Sequence, residues 1–130
     1  MILLDTHVWV WYVSSPGYLS QMAMEYVEQA KREQRVFISC ISAWEVALLV
    51  KKGRLQLTID VGDWISRSEK LPFFQFVPVD NAIALKSIYL SGLHPDPADR
   101  MIIATALLLG APIVTKDERI RAYPAVETIW

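Results

Sequence analysis

The sequence predicts an α/β domain in three layers, a mostly parallel central sheet with helices on both faces. Three observations carry that prediction. Short apolar runs of strand length alternate with helix-length segments along the whole chain, the pattern of strands joined by helical crossovers. The first run, Ile2–Leu4, is wholly apolar and ends at Asp5, which suits a buried strand. Residues 98–109 are apolar almost all round, as in a helix sunk deep in a molecule.

The elements follow in order. After the first strand, residues 6–13 turn into a helix that stops at Ser14-Ser15-Pro16-Gly17, a cluster of breakers. Residues 19–33 read as an amphipathic helix with Met22, Tyr26, Val27 and Ala30 on one face. Residues 35–39 suit a second strand. Ser42, followed three residues later by Glu45, has the capping-box pattern. The helix it opens is expected to run to Lys52 and stop at Gly53, with Lys51 and Lys52 favourably placed in the last turn. Residues 61–70 suggest another helix, residues 74–79 a strand, and Asp80 a cap for a helix reaching Tyr89. Asp96 followed by Pro97 is a strong helix start, and Gly110 is placed to close that helix. Residues 112–115 suit a strand, 117–121 a short turn or helix, and 126–129 a last strand. In parallel sheets of this kind the site lies beyond the carboxyl ends of the strands. Asp5 and Asp117 both fall at that edge.

The chain has 130 residues, the size of one domain, and 53% of them are apolar. That fraction exceeds the usual range of about 45–50%, so some of the excess is expected to cover a partner or a second copy of the chain. The net charge of −1 provides no broad basic field. A nucleic-acid site must therefore be local, or must use metal to offset phosphate charge. The only cysteine, Cys40, cannot form an internal disulfide and reads as a small core residue within VFISCIS. The opening MILLDTHVWVWYV lacks a basic start and is broken by Asp5 and His7, unlike a signal peptide. No run reaches the roughly 18 apolar residues of a membrane span, so a cytoplasmic protein is expected.

Four acids stand out: Asp5, Glu45, Asp99 and Asp117. Two follow strands, and two are expected in the first turns of helices. Hard divalent cations take oxygen ligands, and Mg²⁺ is typically held by a few carboxylates with water and substrate phosphate. Converging like charges are unfavourable without a cation, so a cluster of these acids implies a metal and phosphodiester hydrolysis. The same residues also fit a plainer role. Each could cap a helix or complement its dipole, worth about 0.3–2 kcal/mol. Spacing alone leaves both readings open.

The segments LLDTHVWVW, SAWEVALLVKKGRL, HPDPADRMIIATALLLGAPIVTKDERI and VETIW together closely resemble the PIN-domain family, nearly end to end. Within it they look like the VapC-type toxins of toxin–antitoxin pairs. The resemblance implies a PIN-like fold and an endoribonuclease. It implies that Asp5, Glu45, Asp99 and Asp117 hold Mg²⁺ or Mn²⁺. It also implies a homodimer and a tight complex with a small antitoxin.

Neighbouring residues have two readings each. Thr6 and Thr115 could hydrogen-bond a carboxylate or a metal water, or be turn hydroxyls. Asp96 is first a cap and could also act in the outer shell of a metal. Arg100 could pair with phosphate or with Asp96. His7 reads as a helix-surface or site-rim residue, and His94 as a loop residue. Lys116 could meet a phosphate or simply be solvated. Trp9, Trp11, Trp44 and Trp64 could stack bases, although aromatics in apolar stretches more often belong to a core or an interface.

Two rival functions use the same fold class. A phosphoacceptor receiver would draw on Asp80 and Lys116. It needs adjacent acids after the first strand, where Asp5 is followed by Thr6 and His7. It also leaves Glu45 and Asp99 unexplained. A non-catalytic dimeric scaffold is the other rival.

Overall fold

The computed structural model describes residues 1–92 and 95–130. The expectation for His94 lies outside them. Five strands form one sheet: β1 (Ile2–Leu4), β2 (Val36–Ser39), β3 (Phe74–Val77), β4 (Ile113–Val114) and β5 (Thr128–Ile129). Their order is β3-β2-β1-β4-β5. Every pairing is parallel, with Leu3 level with Phe37 on one side and Ile113 on the other.

The three layers follow from the two-residue period of the strands. Ile2 and Leu4 of β1, Val36 and Ile38 of β2 and Val114 of β4 face one core. Helices α1 (Thr6–Ser14), α2 (Gln21–Arg32) and α4 (Val61–Glu69) close it with Val8, Trp9, Val27, Ala30 and Trp64. Leu3 and Ile113 point the other way, against Ile102, Ile103 and Ala106 of α6 (Pro97–Leu109) and Ile120 of α7 (Glu118–Arg121). Helix α5 (Asn81–Ile88) packs on α6, and α3 (Cys40–Lys51) on α6, α4 and α1. From β1 the chain crosses to β2 and β3 on one side, then to β4 and β5 on the other. The β1/β4 boundary is thus the switch point of the sheet, where a crevice opens at the strand ends.

Most element starts follow their caps. Asp60, Asp80, Asp96 and Asp117 each accept a backbone N–H of the helix they precede, and Gly110 closes α6 at φ 68°. Five expectations need correction. The capping box at Ser42 and Glu45 does not exist: β2 runs straight into α3, and Ser39 caps it by accepting from Ile41. Glu45 consequently sits in the second turn and its carboxylate is free for another role. In α2, Ser20 sets the start, and Ala23, Val27 and Ala30 form the buried line. Met22 and Tyr26 are half exposed instead, because the small alanines let the helix approach the sheet. Cys40 is exposed rather than a core residue, since the chain leaves the strand alternation at Ser39. Helix α6 buries one broad face, but Leu108 on the other is half exposed. Strands β3, β4 and β5 are shorter than their apolar runs. Among the described residues no helix is long and apolar enough to cross a membrane.

Candidate metal centre at the β1/β4 switch point

Asp5 occupies the crevice at the end of β1. Its N–H donates to the Val114 carbonyl at 3.1 Å, which fixes the backbone against β4. It also caps α1, accepting from the Thr6 N–H at 2.6 Å. Its other oxygen accepts from the Thr115 hydroxyl at 2.7 Å. The Thr115 oxygen in turn accepts the Asp117 N–H at 3.0 Å. One buried threonine after β4 thereby ties the first of the four acids to the last. Asp117 also caps α7 through Arg119 N–H at 2.8 Å.

Glu45 reaches the same crevice from α3. The Thr6 hydroxyl donates to Glu45 Oε1 at 2.7 Å and lies 2.8 Å from Ser42 Oγ. A hydroxyl has one proton and two lone pairs, so Thr6 can serve both neighbours, donating to Glu45 and accepting from Ser42. Thr6 and Ser42 are both fully buried. Asp99 enters from the first turn of α6, three residues after the Asp96 cap, which accepts from Ala98 N–H at 2.9 Å. Asp99 is only 9% exposed.

The electrostatics tie these acids together. Burial raises the Asp99 carboxyl, and the charges of Asp5, Asp96, Glu45 and Asp117 raise it further, to a pKa of about 8. Burial also raises Asp5, with Asp117 adding to the shift; the Thr115 and Thr6 hydrogen bonds and the nearby His7 oppose it. Glu45 is raised by burial and by the charges of Asp5 and Asp96, against the Thr6 hydrogen bond and His7. Acids from four separate elements thus feel one another across a single crevice.

The donors fit a hard divalent cation in kind, being carboxylate and hydroxyl oxygens whose mutual repulsion a cation would relieve. Among the described residues, no three acids or histidines stand close enough to hold an ion as they are.

The remaining residues separate clearly. Arg100 caps the end of α5: its guanidinium donates to the carbonyls of Ser87, Ile88 and Leu90 at 2.9, 3.2 and 3.0 Å. Trp9 and Trp64 are core residues, and their indole N–H groups donate to Ser68 and Ser14. Asp80 caps α5, accepting from the Ile83 N–H at 2.9 Å. His7 and Trp11 line an open cavity of about 310 Å³ with Asp5, Lys116 and Asp117. A larger depression of about 470 Å³ between α1 and α4 holds none of the acids. Ser42 was missed as a site residue because its sequence position imitates a cap.

Comparison with known proteins agrees with this fold. The family model described as PIN domain matches residues 2–126. Ribonuclease VapC22 of Mycobacterium tuberculosis is 35% identical over 132 residues, spanning 99% of this chain and 98% of that protein. Two solved structures share the fold. VapBC2 from Rickettsia felis, bound to a DNA fragment from its promoter, has a TM-score of 0.72 at 16% identity, over 98% of this chain and 97% of that one. FitAcB from Neisseria gonorrhoeae has a TM-score of 0.70 at 24% identity, over 98% and 96%.

Proposed function

This chain belongs to the PIN-domain family, and we propose that it is a metal-dependent endoribonuclease, the toxin of a toxin–antitoxin pair. The observation that carries the reading is the set of acids at the β1/β4 switch point, Asp5 and Asp99 buried and Glu45 and Asp117 half-buried, three of them lifted partly by one another's charge. In a chain 35% identical end to end to a ribonuclease, such a set is the machinery of phosphodiester hydrolysis. Residues 1–130 form a single nuclease domain acting in the cytoplasm.

Asp5, Glu45, Asp99 and Asp117 would hold the Mg²⁺ or Mn²⁺. A bound divalent cation supplies charge that offsets the phosphate oxygens and lowers the pKa of the attacking water. Thr115 holds the Asp5 carboxylate from one side while the α1 N-terminus holds it from the other, so Asp5 is aimed before any ligand arrives. Thr6 does the same for Glu45. Burial and Asp117 work against the ionised form of Asp5, and the two hydrogen bonds favour it. Asp96 adds negative charge at the rim. Lys116, exposed beside Asp117, is placed to meet a phosphate. The partners are an RNA substrate, a cognate antitoxin and a second copy of the chain. The solved relatives include toxin–antitoxin complexes, which supports the antitoxin partner.

The test is cleavage of total cellular RNA by purified, antitoxin-free protein. Cleavage is expected with Mg²⁺ or Mn²⁺, to stop in excess EDTA and to return when metal is restored. Undiminished cleavage in EDTA, by protein free of contaminating nuclease, would sink the reading.

A further inference from the structure

Trp11 differs from the other indoles near the sheet. Trp9 and Trp64 are consumed by the core and by their serine partners. Trp11 is half-buried and lines the open cavity that also holds Asp5, His7, Lys116 and Asp117. It lies one helical turn beyond His7 on the same face of α1, with the two rings 5.9 Å apart. Tyr18 follows on the other side, 5.8 Å from Trp11 with the ring planes tilted by 34°. Tyr18 is 66% exposed. Trp130 backs Trp11 at 6.0 Å. An aromatic row thus runs outward from the acid crevice, and Trp11 stands about 9 Å along the helix axis from Asp5.

We propose that Trp11 and Tyr18 form a stacking platform for one unpaired base of the RNA, next to the scissile phosphate, with Lys116 on the adjoining phosphate. The inference rests on the ribonuclease reading and adds to it two residues, Trp11 and Tyr18, that hold one base of the substrate strand. The cavity's composition favours this occupant. A nucleotide presents a flat apolar base and an anion side by side, and the cavity presents an indole and a lysine side by side, continuous with the acids. Any base has a π-face, so the platform selects for unpaired structure more than for base identity. Duplex RNA, its bases already stacked, cannot use it.

The test uses the wild-type chain with Mg²⁺ or Mn²⁺ and a single-stranded oligoribonucleotide that it cleaves, remade with one abasic ribose at each position in turn. One position beside the cleavage site is expected to raise KM about tenfold, with kcat little changed, as for lost uniform binding. Trp11→Leu should raise KM on the intact strand by a similar factor and add nothing on that abasic strand. Trp11→Phe should restore most of the loss. Tyr18→Ala, at an exposed ring, guards against misfolding of Trp11→Leu and should raise KM about threefold. A fall in kcat and melting temperature with no KM change would mean that Trp11 only supports the fold, and would overturn the proposal. So would equal cleavage of every abasic strand. Variants that alter inhibition by antitoxin and leave the RNA KM unchanged would assign the cavity to a protein partner and overturn it too. A wild-type chain that cleaves no RNA would sink the nuclease reading itself, and the platform with it.

Discussion

Asp99 shows how a single residue can serve two ends. Its position in the first turn of α6 complements the helix dipole, worth about 0.3–1 kcal/mol. Its burial among other acids works against that gain, lifting its pKa from 3.8 to about 8. Between those values the folded chain holds more protons than the unfolded one. The Asp99 contribution to the stability of the metal-free protein therefore falls as pH rises from about 4 to about 8, with its penalty complete above that. Asp99→Asn removes this contribution. In chelator the variant should melt higher than the parent above about pH 8, and the two should converge towards pH 4. Metal should reverse the order. A ligand at 100 times its dissociation constant stabilises by about 2.7 kcal/mol, and the variant should lose most of that along with RNA cleavage. Paired melts across pH, with EDTA and with Mn²⁺, measure both effects. Identical pH slopes and metal responses would mean that Asp99 is only a helix-end charge.

At the scale of elements, positions matter through how the chain enters and leaves each helix. The direct passage from β2 into α3 moves the cap to Ser39 and carries Glu45 into the second turn, where Thr6 meets it. Gly110 has the converse task, reversing α6 into β4 from the left-handed region. A side chain would have open space there, so the penalty of Gly110→Ala is conformational alone, about 1 kcal/mol. Urea unfolding should show that loss with RNA cleavage unchanged at temperatures where the variant is folded. An unchanged midpoint would mean that the α6–β4 turn relaxes at no expense.

Across the whole molecule, the apolar surplus of the composition is visible on the surface. Leu85, Ile88 and Tyr89 at α5 and its end, and Leu108 on α6, are all more than half exposed, on two helices that pack together. Soluble monomers rarely leave large apolar patches uncovered. A second copy of the chain is the expected cover, and Ile88→Glu should convert a dimer to a monomer in sedimentation at tens of micromolar. A wild-type chain that already sediments as a monomer there would remove the homodimer from the proposed assembly.

The local pieces could be read directly from the chain. Strand and helix runs, the Asp96-Pro97 start and the Gly110 stop are written in signals that act over a few residues. So are the positions of Asp5 and Asp117 after strands. Tertiary structure alone decided which of these pieces meet. The bond from Thr115 to Asp5 spans 110 positions, and that from Thr6 to Glu45 spans 39. Both depend on β1 lying between β2 and β4, and no local period encodes that order. For the same reason Ser42 and Glu45 read as a cap in sequence: the capping pattern is local, whereas the Thr6 hydroxyl that claims both comes from another element. Met22, Tyr26 and Cys40 were misplaced because burial depends on which face the sheet covers and where the chain turns away from it. A resemblance over the full length could name the four acids. The lift of Asp5, Glu45 and Asp99, the threonines that aim Asp5 and Glu45 and the aromatic row beside them exist only once the strands are paired.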